Sequence, residues 1–87
     1  MGLERLLRSL EDARSNLKQL EEDAALHTAL YDRVRELARS PTHPLRGEAE
    51  GWLPGLQQGI HAWGGAIARL EREIADLEER IEQTRRP

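Results

Sequence analysis

The feature that most constrains this fold is a regular pattern of apolar residues in the second half of the chain. From residue 53 to residue 81 the apolar positions follow one another in alternating steps of three and four. This spacing puts them on one side of an α-helix, at the heptad positions called a and d. A helix with such a side needs another helix to cover it. The positions are Leu53, Leu56, Ile60, Trp63, Ile67, Leu70, Ile74, Leu77 and Ile81.

The first half of the chain carries the same pattern independently. Its a positions are Leu3, Leu10, Leu17, Ala24, Tyr31 and Ala38, and its d positions are Leu6, Ala13, Leu20, His27 and Val34. Neither Pro nor Gly interrupts this stretch, which is rich in Leu, Ala, Glu, Arg and Gln, all good helix formers. The pattern predicts a first helix over about residues 3–39.

Two prolines separate the halves. Pro41 and Pro44 both disfavour helical backbone at the residue before them, so the sequence predicts a turn over residues 40–47. A second helix is then expected over about 48–85, beginning between Pro44 and Glu48. Pro54 lies inside its pattern and lacks an amide hydrogen, which predicts a kink or a short break over residues 51–54.

The two helices are predicted to pack as an antiparallel hairpin. In such a pair a positions face d positions, and this holds when the numbers of facing residues sum to 87, which centres the pairing on the turn. Sums seven higher or lower obey the same rule. We therefore expect an all-α, two-helix coiled-coil hairpin forming a single domain, residues 1–87. Its predicted core is Leu6, Leu10, Leu17, Leu20, Ala24, His27, Ile60, Trp63, Ile67, Leu70, Ile74, Leu77 and Ile81.

Several apolar or small residues near the turn lie outside this core. They are Leu26, Leu30, Leu37, Trp52, Gly55 and Gly59. One interpretation is that the large ones pack on each other around the turn. The other, which we favour, is a docking face for a second copy, giving a homodimeric four-helix bundle, or for a different helical protein, because a lone two-helix hairpin buries little core.

Composition limits the other partners. The net charge is −3 and is spread evenly, so no basic face indicates binding to nucleic acid or to an anionic membrane. No apolar run is long enough to span a bilayer. The N-terminal residues lack the apolar stretch of an export signal, which predicts a cytoplasmic location.

Chemical activity is not expected. His27 occupies a d position one helical turn from Asp23, which favours a hydrogen-bonded interfacial histidine; the alternative is a pH- or metal-responsive site that also uses His61. The many carboxylates are expected on solvent-exposed helix faces. No Ser or Thr has a neighbouring base in the arrangement of a catalytic triad. We expect no enzyme activity, no cofactor, no resident metal and no small-molecule substrate.

The turn also carries a family resemblance. Pro41-Thr42-His43-Pro44 resembles the P-S-x-P turn of needle subunits of type III secretion systems, with Thr in place of Ser. The co-chaperone hairpins that hold needle subunits before export have a similar two-helix layout and acidic, Leu-rich first helices like residues 3–20. The resemblance implies a helical hairpin with a protein partner, and the regular heptads favour the co-chaperone role over the needle.

Together these observations predict a non-catalytic helical protein-protein interaction module, a small adaptor or chaperone-like subunit that docks another helix. The first alternative is a self-assembling structural subunit of a secretion or phage-type apparatus. The second is a coiled coil that responds to pH or metal through His27.

Overall fold

The protein folds as a helical hairpin. The computed structural model describes residues 2–86, in which helix α1 spans Gly2–Arg39 and helix α2 spans Arg46–Arg85. No β-strand occurs within those residues. The heptad pattern dictates this result, because two amphipathic helices of similar length cover each other's apolar sides. The predicted all-α hairpin is confirmed.

Residues 40–45 connect the helices, because α2 begins at Arg46, within the expected interval between Pro44 and Glu48; the predicted turn extended to residue 47. The amide of Ser40 donates to the carbonyl of Leu37 (3.2 Å) as α1 ends. The ring of His43 accepts the Leu45 amide at Nδ1 (3.1 Å), and its carbonyl accepts the Arg46 amide (3.2 Å). His43 thus satisfies two amides at the start of α2, where helical partners are missing.

Pro54 does not interrupt the second helix. A kink or a short break over residues 51–54 was expected; α2 continues through Pro54 without a break. Proline at this position deprives the carbonyl of Glu50 of its amide partner four residues on, and its ring crowds that carbonyl. Glu50 is exposed, so water can reach that carbonyl, and its side chain pairs with Arg46 (3.5 Å) one turn earlier.

Contacts group the chain, predicted as a single domain, into two compact units. The described residues of ranges 1–21 and 65–87 form one, here called the terminal unit; residues 22–64 form the other, the turn unit. Each contains a segment of both helices. Every predicted a and d residue of either unit is buried or half-buried.

The core of the terminal unit joins residues that the heptads place opposite each other. Its buried members are Leu10, Ala13, Ile74 and Ile81, and Leu3, Leu6, Leu17, Leu70 and Leu77 pack against them. Beside this core, Arg14 of α1 pairs with Glu78 of α2 at 3.0 Å. The core includes both members of the pairs Leu6/Ile81, Leu10/Leu77, Ala13/Ile74 and Leu17/Leu70, whose numbers sum to 87.

The core of the turn unit is made mainly of small residues. Val34, Ala38 and Ala49 are buried, with Ala49 completely inaccessible, and Leu37, Leu53 and Leu56 pack around them. Ala38 and Ala49 are predicted to face each other, and two methyl side chains let the helix backbones approach closely there. This unit therefore has few large side chains in its interior.

Candidate protein-interaction face

The turn unit exposes four large apolar side chains. Leu26 is 71% exposed, Leu30 51%, Trp52 48% and Leu45 45%. Isolated exposed apolar residues are common on proteins, but a contiguous group marks an interaction surface. These four residues are called the apolar face below.

Heptad geometry puts the apolar face on one side of the hairpin. Leu30 precedes an a position of α1, Trp52 holds a g position of α2, and Leu45, seven residues before Trp52, directly precedes α2. In an antiparallel pair, the g positions of both helices border the same side of the seam. Leu26 is four residues before Leu30 and so lies beside it on α1. The four side chains therefore share one surface.

Two residues predicted for this face have different surroundings. Leu37 is half-buried and packs against the turn-unit core of Val34, Ala38 and Ala49. Gly55 is exposed, and a methyl group added to it would meet nothing within 4 Å. Leu37 thus belongs to the core of the turn unit, and Gly55 leaves open space one helical turn from Trp52.

The space beside Gly59 is filled by the side chain of His27. A Cβ atom built on Gly59 would lie 2.5 Å from Nε2 of His27 and 2.9 Å from its Cε1. The absence of a side chain lets the imidazole of α1 enter this space on α2. Gly59 was expected to receive an outside partner, but the ring of His27 fills its surroundings, so we leave it out of the apolar face.

The ring of His27 is held by a hydrogen bond to the other helix. Its Nε2–H donates to the carbonyl oxygen of Leu56 at 3.1 Å. That carbonyl has a second lone pair beyond the one that its helical amide uses. The geometry is that of the interfacial histidine expected from the sequence.

In the described part of the chain, His27 does not belong to a cluster of metal-binding side chains. His61, which the metal alternative also needs, is exposed, and residues 2–86 contain no group of three His, Asp or Glu side chains that could hold a metal ion. All carboxylates of α2 are exposed. An exposed carboxylate lacks the enclosed surroundings that tune a catalytic acid or base.

The terminal unit offers a useful contrast. Leu7 is its one large apolar residue with substantial exposure among the described residues, at 38%. It lies on α1 among charged neighbours, Glu4 and Glu11 one turn away on either side. A single exposed leucine of this kind forms no surface, so the apolar face is confined to the turn unit.

Fold and face together define a small all-α hairpin with an exposed apolar side. No family model, no curated protein and no solved structure matches the chain. Across residues 2–86, neither helix combines the length and the apolar character that crossing a membrane requires. The apolar face is therefore the feature of the molecule that bears on function.

Proposed function

We propose that the protein is a non-catalytic helical interaction module, an adaptor or chaperone-like subunit of the cytoplasm. Its apolar face packs against helices supplied from outside the chain. The observation that supports this most directly is the exposure of Leu26, Leu30, Leu45 and Trp52 on one surface. Burial of a large apolar side chain contributes about 1.5–3 kcal/mol when it is complete, so a partner that covers all four half-exposed residues gains several kcal/mol.

The shape of the face favours a helix as its occupant. Leu26 and Leu30 are spaced by one helical turn, and Trp52 projects from the neighbouring helix. Ridges of side chains on two adjacent helices accept the apolar side of a third helix, as in helix-in-groove recognition. No member of the face is charged, so the partner side should be apolar as well.

The test uses a designed probe because the partner is unidentified. The probe is a fluorescent amphipathic peptide of about 20 residues, with Leu at a and d and with Ala, Lys and Glu elsewhere. Binding is followed by fluorescence anisotropy for the wild type, Leu30→Glu and Leu7→Glu. Leu7→Glu is the matched control, since it places the same charge on an exposed leucine outside the face.

We expect the wild type and Leu7→Glu to bind the probe alike and Leu30→Glu to lose binding. Equal binding by all three proteins would show that the apolar face is not the docking surface. The proposal is also overturned if the wild type neither binds the probe nor associates with itself.

A further inference from the structure

We infer that the helices covering the apolar face are those of a second copy of this chain, so that two hairpins form a four-helix assembly. This inference rests on the proposed function and names its partner. Three observations support it: the surface that the chain leaves exposed, the small size of its core, and the charge of the face.

The exposed surface is larger than that of a compact monomer. The chain exposes 6785 Å². A folded monomer of 9.9 kDa is expected to expose about 5,200 Å². The excess, about 1,600 Å², exceeds the roughly 800 Å² that each partner contributes to a standard protein-protein interface. A second copy can therefore remove enough surface for a stable dimer.

The interior of a single chain is correspondingly small. Only seven hydrophobic residues among those described are buried, and three of these are alanines, Ala13, Ala38 and Ala49. No large side chain in residues 2–86 is fully buried. Two-helix units of this size usually need a further layer of helices to build a sufficient core.

The apolar face can pack against the identical face of a second copy, because it is uncharged. A symmetric dimer brings one patch against the same patch, so each residue is used twice. Leu26, Leu30, Leu45 and Trp52 carry no charge, and the charged residues at the flanking c positions are of both signs, Arg33 on α1 and Glu48 on α2. A second copy thus meets apolar surface without a repelling field of one sign, and eight apolar side chains are covered instead of four.

The experiment is sedimentation equilibrium of the full chain from about 1 μM to about 1 mM, the range of weak to moderate association. We expect a reversible monomer–dimer equilibrium with no larger species. Leu30→Glu should weaken dimerisation at least about 100-fold, because it places two carboxylates in the apolar interface. Leu7→Glu should leave the equilibrium unchanged, and circular dichroism should show that both variants keep their helix.

The outcomes separate this inference from the proposed function. If the protein is monomeric at every concentration but still binds the probe peptide, the homodimer is wrong and the proposed interaction module is supported. Growth beyond the dimer would overturn the closed assembly and favour the self-assembling subunit. A dimer that Leu7→Glu weakens as much as Leu30→Glu would overturn the assignment of the face.

Discussion

The imidazole of His27 lies where a side chain of residue 59 would otherwise be. A Cβ atom on Gly59 would come within 2.5 Å of Nε2, closer than real Cβ contacts allow, while the same ring donates to the Leu56 carbonyl. The chain has seven glycines, and Gly59 is the one for which a neighbouring group is found within 4 Å. The position of the His27 ring against α2 therefore depends on glycine at residue 59.

Replacing Gly59 by Ala should destabilise the protein, although Gly→Ala inside a helix normally stabilises by about 1 kcal/mol. Crowding against the His27 ring costs about 1–3 kcal/mol, so we expect a net loss of about 1 kcal/mol. Gly64→Ala and Gly65→Ala, where added methyl groups meet open space, should each gain up to about 1 kcal/mol. Urea unfolding of the three variants measures the difference in sign.

The control for this comparison removes the ring. In a His27→Ala background the space is vacant, so Gly59→Ala should stabilise about as much as Gly64→Ala does. If Gly59→Ala stabilises the protein in both backgrounds, the ring does not occupy that space in solution.

Most of the fold could be predicted because the heptad spacing of apolar residues indicates which side of each helix packs against the other helix. The a and d residues and the turn around Pro41 and Pro44 follow from spacing and backbone chemistry alone. The partner of Gly59 could not be predicted, since helical spacing shows that a glycine leaves space but not which side chain fills it.

Two local features needed the structure for a different reason. Pro54 predicts a break if the helix is considered alone, yet packing of α2 on α1 extends on both sides of it and keeps the helix continuous. His43 accepts the Leu45 amide at a ring nitrogen. Helical periodicity cannot predict a side-chain contact in a turn. Leu26, Leu30 and Trp52 of the apolar face were predicted from the sequence, because each is an apolar residue outside the seam; Leu45 was added by its exposure in the structure.

His43 should stabilise the start of α2 through its ring. Nδ1 accepts the amide of Leu45, so the ring proton is on Nε2. His43→Ala leaves that amide without a side-chain partner and should cost about 1 kcal/mol, the usual effect of losing a cap. Thermal unfolding followed by circular dichroism gives the loss.

His43→Asn is the matched variant for this contact. An Asn side chain can accept from the amide two residues on, so His43→Asn should retain most of the stability that His43→Ala loses. Equal losses in the two variants would mean that the ring contributes through packing rather than as an acceptor.

The ion pair of Arg14 and Glu78 should contribute little to the stability of the terminal unit. The two side chains are 59% and 52% exposed, so solvent screening limits the coupling to about 0–1 kcal/mol. A double-mutant cycle with Arg14→Ala and Glu78→Ala should give such a value, and 1 M salt should reduce it. A cycle with Arg14→Ala and Glu71→Ala, the carboxylate one heptad earlier, should show no coupling, because Arg14 pairs with Glu78; coupling to Glu71 instead would mean that Arg14 pairs with the earlier carboxylate in solution.

Two leucines on the two kinds of surface should respond oppositely to the same charge. Leu70 is half-buried and packs on the terminal-unit core, so Leu70→Glu places an unpaired carboxylate at the interface between α1 and α2. Burying such a charge costs several kcal/mol, comparable to the whole stability of a domain this small, and far-UV circular dichroism should show loss of helix. Leu30→Glu leaves its carboxylate on a side chain that is half exposed, so the helix signal of the monomer should persist while association is lost. Equal helix loss in the two variants would mean that Leu30 belongs to the core, and the apolar face would then have to be redrawn around Leu26 and Trp52.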